Sequence, residues 1–223
     1  MKTVTLNKFR QIINSIRLDK KKEIKTLFLD IGGVLVSNGW DRFARQKAVK
    51  KFNLDPNELS DRHGIFFETY ESGKLTLKEY LDNVIFYEPR DFTEMDFMNF
   101  MFQQSLALKG SIEYFMGIKK KYKLNVLALS NEGRELNDYR IKTFKLDKLF
   151  NFFVSSCYVH LRKPDKDIFK MACDVSHTTP QHALFVDDRI IHVRIAGSLG
   201  INAIQFRNLA TTKKQMAAYG FTI

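Results

Sequence analysis

The sequence predicts an α/β fold, a doubly wound parallel sheet with a small α-helical cap inserted after the first strand. Three observations predict it. After Gly110, short apolar runs alternate strictly with helical stretches, the pattern of a parallel sheet covered on both faces. Three apolar runs stop abruptly at polar residues (Asp30, Ser130-Asn131 and Asp187-Asp188), where open α/β sheets bind their ligands. Between the first run and Gly110, the periodicity is helical throughout.

In chain order, Leu6 to Leu18 reads as an amphipathic helix with Leu6, Phe9, Ile13 and Ile16 on one stripe. Residues 1–23 are therefore expected to form a basic amphipathic extension, ending in the charged run Asp19 to Glu23. The first strand is IKTLFL, Ile24 to Leu29, and it stops at Asp30 before Gly32-Gly33. Residues 38–107 form the expected cap, with helices over Asp41–Phe52, Pro56–Glu71, Leu77–Phe86 and Phe92–Ala107. Its many aromatics fall at helical spacing and are read as core rather than ligand contacts. His63 and Tyr70 are read the same way, as packing or solvent-facing residues.

Residues 24–37 and 108–223 form the expected core domain. Helices are predicted over Ser111–Tyr122, Glu135–Phe144, Asp165–Asp174 and Ile191–Leu199. Strands are predicted over Asn125–Leu129, Phe152–Ser155, Ala183–Val186 and Asn202–Gln205.

Composition narrows the function classes. The chain has 223 residues, 44% hydrophobic and 27% charged, which provides a core and excludes wholesale disorder. No run approaches the roughly 18–20 apolar residues needed to span a bilayer. Met1 to Lys25 lacks the apolar stretch of a secretory signal, and two cysteines make no disulfide framework, so a cytoplasmic protein without membrane partners is expected. The net charge of +11 suits anionic partners. Its lysines are scattered in short clusters and read as solvated faces rather than as a nucleic-acid surface.

The polar groups at the strand ends fit phosphoryl transfer. A carboxylate can attack phosphorus and divide the transfer into two steps through an aspartyl-phosphate. A magnesium ion takes hard oxygen ligands, commonly one or two carboxylates with water and substrate phosphate. A hydroxyl and an ammonium then hold the phosphoryl oxygens in the transition state. Asp30, Ser130, Lys163, Asp187 and Asp188 supply those parts.

These residues sit in four segments. LFLDIGGVLV, Leu27 to Val36, resembles the first motif of the haloacid dehalogenase superfamily. VLALSN, Val126 to Asn131, resembles its second, and RKPDKDIF, Arg162 to Phe169, its lysine motif. ALFVDDRIIHVRIAGSLGI, Ala183 to Ile201, resembles the acidic fourth motif with its trailing helix. The cap segment ESGKLTLKEYL, Glu71 to Leu81, is also similar to the subfamily with a helical cap after the first strand.

The resemblance implies a Mg2+-dependent hydrolase of a small phosphorylated substrate such as a sugar phosphate, acting as a monomer or homodimer. Asp30 would be nucleophile and metal ligand, and the backbone carbonyl of Gly32 a second ligand. Ser130 and Asn131 would bind substrate, Lys163 would neutralise the phosphoryl group, and Asp187 and Asp188 would complete the metal site.

One position departs from the family pattern. Most family phosphatases carry a second aspartate two residues after the nucleophile to protonate the leaving group, and here that residue is Gly32. His192, where relatives often carry Asn, is read as a helix residue stabilising its loop. Arg189 is read as a surface or salt-bridge residue. Two other function classes share the motifs. A 2-haloacid dehalogenase uses the same nucleophile without metal, with Arg42 as the nearest candidate for the halide. A member without turnover would bind a phosphorylated ligand or nucleic acid.

Overall fold

A computed structural model describes residues 23–223. The helix expected over Leu6 to Leu18 lies outside them. Five strands form one wholly parallel sheet: β1 (Thr26–Leu29), β2 (Asn125–Ser130), β3 (Phe152–Ser155), β4 (Ala183–Asp187) and β5 (Asn202–Gln205), in the order β3-β2-β1-β4-β5. β1 is central, and all four of its residues are buried. Side-chain alternation divides its apolar residues between two cores. Leu27 and Leu29 join Val126, Leu184 and Ile204 on one face, where Phe115 and Ile118 of α5 (Ser111–Tyr122) cover them. Phe28 joins Leu127 and Phe185 on the other face, under Ile168, Phe169 and Ala172 of α8 (Lys166–Val175). Such doubly covered strands read as continuous apolar runs.

Before α5 come α1 (Arg42–Phe52), α2 (Pro56–Glu71), α3 (Leu77–Val84) and α4 (Glu94–Gln103). They enclose a third cluster that includes Trp40, Phe52, Tyr70, Tyr80, Leu81, Phe97 and Met101. Their starts are fixed by side chains. Asp41 accepts from the N–H groups of Phe43 and Ala44, and Asp55 precedes Pro56 at the first turn. Thr76 with Glu79, and Thr93 with Asp96, form reciprocal capping boxes. Leu136 of α6 (Arg134–Thr143) enters the same cluster from the sheet side and so packs the two layers together.

Helix ends differ from the expectation where the chain is captured by other segments. The last of these helices stops at Gln103 rather than Ala107. The reason is tertiary: Ala107 bridges Val36, Ser37 N–H donates to Leu106 O (2.7 Å), and Leu108 N–H donates to Leu35 O (2.9 Å). The two chain segments that join the layers thus run side by side. Two helices were not expected: the short α7 (Ser156–Val159) and the final α10 (Leu209–Ala218), which Asn208 caps through Thr211 N–H. α9 (Ile190–Ser198) completes the set. No described helix is long and apolar enough to cross a membrane.

Candidate active site

Sheet register brings the predicted polar groups together. Leu29 pairs with Ala128 on one side and Val186 on the other, so Asp30 emerges beside Asp187, with Ser130 one step on along β2. Asp30 N–H donates to Val186 O (3.0 Å), which carries the pairing one residue beyond the strand.

The side chains interlock. Asp30 Oδ1 accepts from Ser130 Oγ (2.9 Å) and from the N–H of Ile31 (2.8 Å). Lys163 Nζ lies 3.1 Å from Asp30 Oδ2 and 2.6 Å from Asp187 Oδ2, fully buried between them. Asn131 holds the lysine's backbone in a reciprocal pair: its Nδ2 donates to Lys163 O (2.7 Å) and its Oδ1 accepts from Lys163 N–H (2.8 Å). Asn131 therefore positions the lysine rather than standing free for substrate. His192 is buried with Nδ1 3.0 and 3.1 Å from the two oxygens of Asp187, so it stabilises that loop as expected.

Electrostatics follow from this burial. Desolvation pushes the Asp30 carboxyl up to about 7; Lys163 opposes the rise, and Asp187 and Asp188 add to it. Burial would also raise Asp187, but the Lys163 ammonium and His192 hold it well below the usual carboxylate range. Lys163 is raised because two carboxylates outweigh its desolvation. The site therefore places two carboxylates on one ammonium.

Asp188 adds a third carboxylate. Oxygens of Asp30, Asp187 and Asp188 all lie within 4.8 Å of one another. Asp188 Oδ2 accepts from Asn38 Nδ2 (3.1 Å), whereas its Oδ1 is buried with no hydrogen-bond partner among the described residues. A buried carboxylate oxygen without a donor is costly unless a cation completes it. Together with an all-oxygen donor set, this fits a hard divalent ion such as magnesium.

The glycines after Asp30 make this approach possible. Gly33 has φ +72°, and a Cβ there would fall 2.4 Å from Asp188 Oδ2. At Gly32 a Cβ would meet Asn38 Oδ1 at 3.1 Å and Arg140 Nη1 at 3.5 Å. A side chain at this position would thus project beside an amide and a guanidinium.

That arginine was not anticipated from the sequence. Arg140 of α6 is buried, pairs with Glu132, and donates to Ser105 Oγ (3.0 Å) and Ser37 O (3.2 Å). Burial drives the Glu132 carboxyl up to about 7 despite Arg140, with Glu71 and Asp30 adding to the rise. The available signal was that Arg140 follows the apolar Leu136 at i+4, which places a charge on the buried stripe of that helix.

A cavity of about 620 Å³ opens above these groups. Its floor includes Asp30, Gly32, Asn131 and Lys163; its helical wall includes Trp40, Arg45, His63 and Phe67. His63 lines this cavity with its ring 4.3 Å from that of Phe67, whereas Tyr70 is buried and stacks on Tyr80. Arg42 and Arg189 are exposed at the rim, Arg42 with its guanidinium over the Phe43 ring at 4.6 Å.

A carboxylate, a hydroxyl, an ammonium and an acidic pair thus meet at the carboxyl edge of a parallel sheet, under a helical layer. The profile of haloacid dehalogenase-like hydrolases matches residues 24–200, and the chain belongs to that family. Among curated proteins, drimenol cyclase of Aspergillus calidoustus is 26% identical over 199 residues, 86% of this chain and 36% of that protein. The (S)-2-haloacid dehalogenase 4A of Burkholderia cepacia is 30% identical over 80 residues, 36% of this chain and 35% of that enzyme. The matched chain thus spans little more than a third of each. Among solved structures, a haloacid dehalogenase family enzyme of Bacteroides thetaiotaomicron has a similar fold, with TM-score 0.72 and 23% identity. That match covers 85% of this chain and 98% of that one, which was solved with magnesium and inorganic phosphate.

Proposed function

We propose that this hydrolase is a magnesium-dependent phosphatase of small phosphorylated metabolites. The observation that carries the reading is the orphaned Oδ1 of Asp188 beside the Asp30–Lys163–Asp187 cluster. Three carboxylates converge there on one ammonium, and a divalent ion would balance the remaining negative charge. The magnesium and phosphate found in the Bacteroides relative support the same reading.

Asp30, Asp187 and Asp188, with the carbonyl of Gly32, would hold the ion, which when bound supplies positive charge to the phosphoryl oxygens and keeps Asp30 ionised. Asp30 is the nucleophile. One of its oxygens bonds to phosphorus as the bond from phosphorus to the leaving alcohol breaks, giving an aspartyl-phosphate. Water then attacks phosphorus, the bond to Asp30 breaks, and inorganic phosphate leaves. Ser130 Oγ and Lys163 Nζ bind the phosphoryl oxygens, and Asn131 keeps the lysine in register.

The leaving oxygen needs a proton, and Gly32 has none to give. General acid catalysis is typically worth about 10² to 10⁴-fold, so slow turnover or leaving groups of low pKa, such as an anomeric hydroxyl, are expected.

Phosphate release from a metabolite panel, with and without magnesium, tests the reading against an Asp30→Asn control. Magnesium-dependent release that disappears in the variant is the expected result. Chloride release from a 2-haloacid without metal, and no phosphate release, would move the chain to the dehalogenase side of its family.

A further inference from the structure

The chemistry at Asp30 uses the floor of the cavity, while its helical wall holds two polar groups that the reaction leaves idle. Arg45 on α1 and His63 on α2 line the same cavity as Asp30 and Lys163. Arg45 Nη1 donates to the carbonyl of Trp40 (2.9 Å), and among the described residues Arg45 has no carboxylate partner. Burial disfavours its charge, with Tyr80 and Asp41 offsetting that in part, yet a guanidinium stays protonated.

The acids around it are already engaged. Asp41 caps α1, Glu71 pairs with Arg162 at 2.6 Å, and Glu132 pairs with Arg140. Arg45 is therefore the cation of the cavity wall that, among the described residues, no carboxylate reaches within ion-pair distance, whereas Arg42 and Arg189 are exposed at the rim. A half-buried cation kept without a partner costs stability unless a ligand supplies one.

His63 adds a donor whose direction can be derived. The hydroxyl of the fully buried Tyr80 lies 2.9 Å from Trp40 Nε1 and 2.8 Å from His63 Nδ1. An indole nitrogen only donates, so Tyr80 accepts from Trp40, and its buried hydroxyl, which has no other acceptor among the described residues, donates to His63 Nδ1. His63 Nδ1 is then the acceptor, and Nε2 carries the hydrogen. Burial and the neighbouring Arg45 pull the His63 pKa down to about 3, which keeps the ring neutral.

We propose that Arg45 and the Nε2–H of His63 form a second anion subsite. On this inference the substrate is a phosphomonoester whose alcohol portion carries a further carboxylate or phosphate. The inference rests on the phosphatase reading for the first anion. A guanidinium fork and an adjacent N–H match the oxygens of either group.

The test is calorimetric binding to the magnesium-loaded Asp30→Asn protein, which does not turn substrate over. Two matched pairs are titrated: 3-phosphoglycerate against glycerol 3-phosphate for the carboxylate, and fructose 1,6-bisphosphate against fructose 6-phosphate for the second phosphate. The expected result is tighter binding of the doubly anionic member in at least one pair. Arg45→Gln should lower that preference about 10- to 100-fold, the worth of a hydrogen-bonded charge, and Arg45→Lys should keep part of it. Because the readout is a ratio, a general loss of affinity cancels.

No preference in either pair, or a preference that Arg45→Gln leaves unmoved, overturns the subsite. If the preference follows Arg45 but wild-type protein releases phosphate from no member of the metabolite panel, the phosphatase reading fails and the subsite stands.

Discussion

The floor and the wall of the cavity are built on opposite plans. On the floor the reacting groups are locked together: Lys163 lies between Asp30 and Asp187, Asp187 meets His192, and the Lys163 backbone is held by Asn131. On the wall, aromatic packing supplies the rigidity, and among the described residues Arg45 has no carboxylate partner and the outer nitrogen of His63 no hydrogen-bond partner. The contrast separates two tasks. Groups that move electrons must be held by one another, whereas groups that choose a substrate must be held by their neighbours and leave their polar ends open.

The sharpest way to break this comparison is at the nucleophile. Asp30→Asn should lower phosphate release by at least about 10⁴-fold while the circular dichroism spectrum stays native, since removal of a covalent nucleophile has effects of that order. Full metal-dependent activity in that variant would remove Asp30 from the mechanism.

Lys163→Ala probes the locking itself. It leaves two buried carboxylates without their cation, and breaking such a pair costs about 3–5 kcal/mol. Activity should fall by about 10² to 10³-fold, the usual effect of losing one charge-stabilising group. Urea melts and initial rates measured on the same samples would separate the two losses. A variant as stable as wild type would show that the floor is not interlocked as described.

Gly39→Ala tests the joint between floor and wall. Gly39 has φ +70°, and its new Cβ would fall 2.0 Å from Arg140 Nη2. Strain and displacement together should cost about 1–3 kcal/mol in a denaturant melt. No change in midpoint would mean that Arg140 is not held against Gly39.

The smallest effect concerns pH. His63 titrates near 3 when folded against an ordinary value of 6.5, so it gains a proton more readily on unfolding. Its contribution to stability is complete above about pH 6.5 and is lost as pH falls from there towards 3. His63→Gln should therefore flatten part of the decline in melting temperature over that window, and an unchanged slope would place the burial elsewhere.

The floor was legible in the sequence and the wall was not, for a physical reason. Asp30, Ser130 and Asp187 end apolar runs in a sheet whose register is set by the same runs, so local pattern and spatial convergence coincide. The strands Phe152–Ser155 and Asn202–Gln205 and the helices Pro56–Glu71 and Ser111–Tyr122 came out at their observed limits for the same reason. Glu132, Arg140 and Arg45 carry no such mark. Each is one charge among many in a helical or loop segment, and only packing reveals which charges lost their water. The helix end at Gln103 likewise depended on a partner, Val36, about seventy residues away in the chain.

Arg140 also has a mechanical meaning. The two connections between helical layer and sheet pass Ser37 and Ser105, and this one guanidinium grips both while Glu132 anchors it to the end of β2. One buried side chain thus ties both crossing segments of chain to the sheet, so losing it would free the two connections together.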